Sequence, residues 1–155
     1  EAKVTETKVE DGKLNPITRQ FFLEHIFDYR KGNDFVYNGD KPVVIDFWAT
    51  WCGPCKMAMK QMKPMKKDLE GKDIVYVFIA GENSPKETWD NMIPDIHGEH
   101  YRVTAAQWNY LSRQFSIQGV PTYIIVDKEG GVIQKYTGFP GVDTVKRELI
   151  KALEK

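Results

Sequence analysis

Trp51-Cys52-Gly53-Pro54-Cys55-Lys56 is the stretch whose reading decides the fold. Before it, Val43-Val44-Ile45-Asp46-Phe47-Trp48 is β-branched and aromatic and is bounded upstream by Gly39-Asp40-Lys41-Pro42, so it reads as a buried strand. After it, Met57 to Glu70 is rich in Met, Lys, Gln and Leu, all good helix formers. Cys52 therefore falls where a strand ends and a helix begins. Unpaired N–H groups and the positive end of the helix dipole favour a negative charge there, and a thiolate is such a charge. The spacing puts Cys55 one helical turn later, within reach of a bond between the two sulfurs. The pattern describes a reactive dithiol.

Two other readings of a C-x-x-C pair compete with it. Zinc normally takes four ligands, and the chain has only 2 cysteines. His25, His97 and His100 would have to complete such a site, and nothing in the sequence brings them to Cys52. A structural disulfide closing so short a loop would constrain the unfolded chain very little. C-x-x-C beside a βαβ pattern is the redox context.

Asp46-Phe47-Trp48-Ala49-Thr50-Trp51-Cys52-Gly53-Pro54-Cys55-Lys56 resembles the active-site segment of thioredoxins, and Gly119-Val120-Pro121-Thr122 resembles the cis-proline loop that faces the dithiol in that superfamily. The resemblance runs from about Asn15 onward. It implies an α/β thioredoxin fold, a central mixed β-sheet flanked by helices, and thiol–disulfide oxidoreductase activity. The middle of the chain is longer than a minimal thioredoxin, with an extra helix and strand at about 81–103. That layout, and Val120 to Gly130, are similar to the branch typified by TlpA and ResA, bacterial oxidoreductases that work outside the cytoplasm and are usually membrane-anchored. Gly53-Pro54 departs from that branch and is the thioredoxin choice. The expected location is periplasmic or otherwise extracytoplasmic, with a cytoplasmic one as the alternative, and an anchor would lie upstream of Glu1.

The 155 residues suit a single domain with a full core. Basic and acidic residues balance at 22 each, so charge gives no argument for nucleic acid or an anionic membrane. Residues 1–14 read as a flexible arm or linker and 15–155 as the thioredoxin-like domain. Asn15-Pro16 is a helix start, followed by Ile17, Phe21, Phe22, Ile26 and Phe27 at helical spacing. Pro64 is expected to kink or break the helix after the dithiol. Met57, Met59, Met62 and Met65 read as core filler. Ile74 to Ala80 is a second parallel strand. Ser84-Pro85-Lys86-Glu87 and Thr104-Ala105-Ala106-Gln107 are capping-box patterns. The first opens a helix with Trp89, Met92 and Ile93 on its apolar stripe, and Tyr101-Arg102-Val103 is a short strand. The second opens a helix carrying Trp108, Leu111 and Phe115. Thr122 to Val126 and Val132 to Tyr136 form a hairpin, and Val145, Leu149, Ile150 and Leu153 mark the last helix. His97-Gly98-Glu99-His100 reads as a solvated loop.

The expected catalytic residues are Cys52, Cys55 and Asp46. Cys52, exposed at the helix start, attacks a substrate disulfide as thiolate, and Cys55 resolves the mixed disulfide. Asp46, a carboxylate inside an apolar strand, should have a raised pKa and serve as base for Cys55; the resemblance implies the same. The lysine that accompanies this aspartate in many thioredoxins is missing, since Ile74 to Ala80 contains none. Pro121 is cis by resemblance, which lets Val120 offer backbone groups to an extended substrate. Trp51, Gly53, Pro54, Val120, Pro121 and Phe139 are the expected substrate contacts, with Trp48 in the core. No metal or cofactor is expected. The partners are disulfide-containing proteins and an electron-donor thiol protein, without nucleic acid, and the chain is expected to be a monomer. The main expectation is net reduction of protein disulfides; net oxidation or isomerisation, and a non-catalytic binding module using the groove, stay open.

Overall fold

The computed structural model describes residues 41–128 and 132–154. The expected N-terminal arm, the helix from Asn15 and His25 lie outside those residues. Among the described residues five strands form one mixed sheet: β1 (Val43–Phe47), β2 (Val75–Ala80), β3 (Glu99–Arg102), β4 (Thr122–Val126) and β5 (Val132–Thr137), in the order β3-β2-β1-β4-β5. β1, β2 and β3 run parallel, while β4 and β5 join antiparallel. Helix α1 (Gly53–Asp68) connects β1 to β2, as a crossover between parallel strands requires. The expected insertion is present as α2 (Lys86–Met92), a 3₁₀ turn (Ile93–Asp95) and β3. Helices α3 (Ala105–Phe115) and α4 (Val142–Glu154) complete the described chain.

β1 is central and buried along its whole length, and its alternation builds two cores. Val43, Ile45 and Phe47 point to the face covered by Tyr110, Leu111 and Phe115 of α3. Val44 points to the opposite face, against Ala58, Met62 and Met65 of α1 and Val145 and Leu149 of α4. Trp48 heads a third cluster with both cysteines and Phe78. Met62 and Met65 are thus core filler, as expected, but Met57 is exposed and Met59 only partly buried. On α4, Val145 and Leu149 face inward, whereas Ile150 is exposed because it sits one step off the buried stripe.

Several local expectations change. α1 runs through Pro64 to Asp68 without a break. Only one intrahelical hydrogen bond is forgone there, and the buried positions on both sides, Met62 and Met65, hold the helix on the sheet. Thr104 and Gln107 do form the expected reciprocal capping box. Ser84 does not cap α2, whose cap position is Pro85 with no side-chain hydrogen bond. The fully buried Ser84 hydroxyl instead accepts the Thr50 N–H at 3.1 Å. His100 is not in a solvated loop either. It lies in β3, stacked on Phe78 with ring centroids 4.8 Å apart, and its Nε2 is 2.7 Å from Ile96 O. Gly98 permits this closure, because a Cβ there would come within 2.5 Å of the Phe78 ring and 2.9 Å of Tyr76 O.

The Thr50–Ser84 bond ties the loop before the dithiol to the loop that opens the insertion. Arg102 fixes the second loop from β3, with Nε 2.8 Å from Ser84 O and a terminal nitrogen 3.1 Å from Glu82 O. Ser84→Ala leaves a buried N–H without its acceptor, so a loss of about 1–3 kcal/mol is expected. A urea midpoint shifted by that amount with an unchanged m-value checks it; an unshifted midpoint contradicts it.

Candidate active site: a disulfide over a buried carboxyl

Cys52 is the N-cap of α1, with extended backbone (φ −86°, ψ 104°), and its sulfur accepts the Cys55 N–H at 3.2 Å. Pro54 sits in the first turn, where its missing N–H costs nothing. The two cysteines are joined as a disulfide, with Cα atoms 5.3 Å apart. Their environments differ. Cys55 is completely enclosed, while Cys52 keeps 5% of its surface exposed. The expectation of a freely exposed Cys52 is therefore corrected: Trp48, Ala49 and Val120 pack around it, and its sulfur lies 3.8 Å from Val120 O.

Of the expected contact set, Val120 packs in the cluster that holds both cysteines, whereas Phe139 packs in the separate cluster with Tyr123. Trp51 is 59% exposed, the largest exposed aromatic of the described chain, and Gly53 and Pro54 are also at the surface. The Val120–Pro121 bond is cis. Val120 is half-buried and Pro121 is buried. Thr122 Oγ1 donates to Gly119 O at 2.6 Å, and Gly138 N–H donates to Pro121 O at 2.8 Å. The latter bond carries the Phe139 loop to the proline segment. Phe139 itself leans on Tyr123, centroids 5.8 Å apart, and packs on the α4-side core.

Asp46 belongs to the same face of β1 as Val44 and Trp48, beneath α1. Its register partners are Phe78 on β2 and Tyr123 on β4, so the carboxyl sits in an apolar box. It is 3% exposed, and neither oxygen has a hydrogen-bond partner among the described residues. Burial pushes its pKa from 3.8 up to about 8, with an opposing pull from Lys66. That cation was missed by looking only at the neighbouring strand. Lys66 comes from α1, and its Nζ lies 4.8 Å from the Tyr76 ring centroid and 5.0 Å from that of Phe78, donating to His97 O. Burial lowers the Lys66 pKa to about 8, opposed by Asp46 and reinforced by repulsion from Lys63. The signal was present in α1: Cys55, Met59, Met62 and Lys66 fall on one helical face, so the lysine shares the inward register. Among the described residues no cluster of His, Cys, Asp and Glu could hold a metal ion.

Two outcomes follow from these environments. A carboxyl with a raised folded pKa binds its proton more tightly in the native state, so stability falls as pH rises from about 4 to about 8 and stays low above. Asp46→Asn is expected to be more stable than wild type at pH 8 by roughly 2–4 kcal/mol, with the gain fading towards pH 4. Denaturant midpoints across pH check this, and a mutant less stable at pH 8 contradicts it. Lys66→Met removes the opposing cation, so the Asp46 titration, followed by carboxyl NMR, is expected to move to higher pH.

Residues 39–132 match the family described as Thioredoxin-like. The chain is 32% identical over 118 residues to a thioredoxin of Mycolicibacterium smegmatis, covering 76% of this chain and 84% of that one. It is 27% identical over 114 residues to a thioredoxin of Borreliella burgdorferi, covering 74% and 76%. The thioredoxin domain of a thiol-disulfide oxidoreductase from Bacteroides vulgatus matches in fold with a TM-score of 0.65 at 21% identity, covering 77% of this chain and 89% of that one. A thioredoxin-family thiol:disulfide interchange protein from Chlorobium tepidum does so with 0.61 at 22%, covering 74% and 81%. An α/β sheet of thioredoxin type, a cysteine pair at the start of α1 and these matches lead to one conclusion: the chain belongs to the thioredoxin-like family and is a thiol–disulfide oxidoreductase.

Proposed function

We propose that the chain reduces protein disulfides, with Cys52 as attacking thiol, Cys55 as resolving thiol and Asp46 as the base for Cys55. The observations that carry this reading are the unequal burial of the two sulfurs and, on the strand that leads into them, a buried carboxyl whose pKa is raised to about 8. Only Cys52 offers an edge to a macromolecular disulfide. Its thiolate attacks one substrate sulfur, forms a mixed disulfide and expels the other as thiolate, which takes a proton from solvent. Cys55 then gives its proton to the Asp46 carboxylate and attacks the Cys52 sulfur. The second substrate thiolate leaves, and Cys52–Cys55 carries away the two-electron oxidation. A thiol protein must return two electrons and two protons to restart the cycle.

Trp51, Gly53, Pro54 and Phe139 form the rim against which substrate lies, and the Val120 backbone and Pro121 segment align it as an added strand. The insertion supports an extracytoplasmic location by its likeness to the TlpA and ResA layout. Among the described residues no helix is long and apolar enough to cross a membrane. Residues 15–155 are taken as the catalytic domain and 1–14 as a linker.

Cys52→Ser is expected to abolish insulin reduction, and Cys55→Ser to accumulate a mixed disulfide visible by mass spectrometry. Faster alkylation of Cys55 than of Cys52 in the reduced protein would reverse the assignment. The direction of electron flow is tested by the reduction potential. Gly53-Pro54 supports a value of about −270 mV, the thioredoxin end of the range, and a value of about −120 mV would make the chain an oxidant.

A further inference from the structure

A cleft of about 670 Å³ runs between α1 and the insertion. Its volume is in the range of sites that hold a ligand or a peptide segment. The floor is apolar: Met59, Ile74, Tyr76, Phe78, Met92 and Ile96. The rim along α1 is cationic, with Lys56, Lys60, Lys63 and Lys67 at successive steps of four, three and four residues. From Gly53 to Lys67 the helix carries five lysines and no acid. Asp68, which follows, is engaged by Lys146 of α4 at 3.3 Å. Among the described residues none of the four rim lysines is in an ion pair, and the acids on the cleft wall are Glu70 and Asp95. A chain with no net charge thus concentrates positive charge on one apolar cleft.

The cleft begins at Lys56, the residue after Cys55, and continues to Gly71 and Lys72. At 1.5 Å per residue it follows about 20 Å of α1, the span of about six residues of extended chain. We propose that it is the docking groove for an acidic segment, bearing apolar side chains, of the protein that exchanges disulfides with Cys52. Carboxylates of that segment meet the lysine rim while its apolar side chains cover Met59, Met92 and Ile96. Steering and docking then select acidic partners for a dithiol whose own rim is uncharged. This rests on the reading of Cys52 as the thiol that meets macromolecular substrates.

The test uses two peptides with the same internal disulfide, one flanked by a Glu/Asp and Leu/Ile segment, the other with Lys in place of each acid. Single-turnover oxidation of the pre-reduced full chain is followed by tryptophan fluorescence. The acidic peptide is expected to react at least about 10-fold faster at low salt, with the advantage shrinking as ionic strength rises. Lys60→Glu/Lys67→Glu is expected to remove that preference and leave the reaction with hydroxyethyl disulfide unchanged. Replacing the peptide's Leu and Ile by Ser, with charges kept, should weaken binding measured by anisotropy on the Cys52→Ser/Cys55→Ser protein. That binding measurement involves no redox step, so the groove is tested even if the reductase reading fails. Equal rates for the two peptides, or a preference that survives the double substitution, overturns the groove and leaves the reductase reading standing. Loss of the hydroxyethyl disulfide reaction in wild type, with acidic-peptide binding retained, overturns the reductase reading alone.

Discussion

The site is built around one carboxyl group, Asp46, held out of water and without a hydrogen bond among the described residues. Desolvation of a carboxylate opposes that arrangement, and the attraction of Lys66 offsets only part of it, so the balance is a pKa near 8 rather than a settled ion pair. Such a site survives because β1 is the middle strand. Val44 and Trp48 beside Asp46 are held by two separate clusters, and Phe78 and Tyr123 close its flanks. The apolar burial around it outweighs the cost of the group itself. What results is a carboxyl that titrates where thiol chemistry operates.

Helix α1 connects this constraint to the sulfurs. Its inward face is set by Ala58, Met62 and Met65 against the sheet, and that rotation determines that Cys55 is enclosed while Cys52 remains at the edge. The same rotation brings Lys66 inward, three turns below Cys55, over the rings of Tyr76 and Phe78. The strand position beside Asp46 carries Phe78, with no charge, and the cation arrives from the helix instead. A long side chain lets Lys66 do this: its methylenes cover aromatic surface while the ammonium finds His97 O.

The insertion is a second support for the dithiol loop. Ser84 accepts from Thr50 N two residues before Cys52, and Arg102 of β3 holds the Ser84 and Glu82 carbonyls. Trp89, Met92, Ile93 and Ile96 pack on the Cys-bearing cluster from the same side. On the opposite side, Gly138 donates to Pro121 O and joins the C-terminal loop to the cis segment. The dithiol is therefore clamped between an insertion beyond the minimal thioredoxin layout and an element expected from the thioredoxin resemblance.

By itself the sequence determined the strand–dithiol–helix order, the parallel crossover, the hairpin of β4 and β5, the Thr104 capping box and the burial of Asp46 and Trp48. Each of these is encoded locally, by side-chain periodicity, capping residues or a motif of fixed spacing, and local signals do not depend on what packs against them. Tertiary structure decided the rest. Ser84-Pro85-Lys86-Glu87 has a capping pattern, but the nearby Thr50 N–H takes the serine hydroxyl, a competitor 34 residues away that no local window contains. Lys66 is one of five lysines in α1, and only the seating of that helix distinguishes it from the four that line a rim. His100 reads as a loop residue until β3 pairs with β2 and stacks it on Phe78. A side chain's partner is set by which elements meet, and that is fixed only when the sheet is assembled.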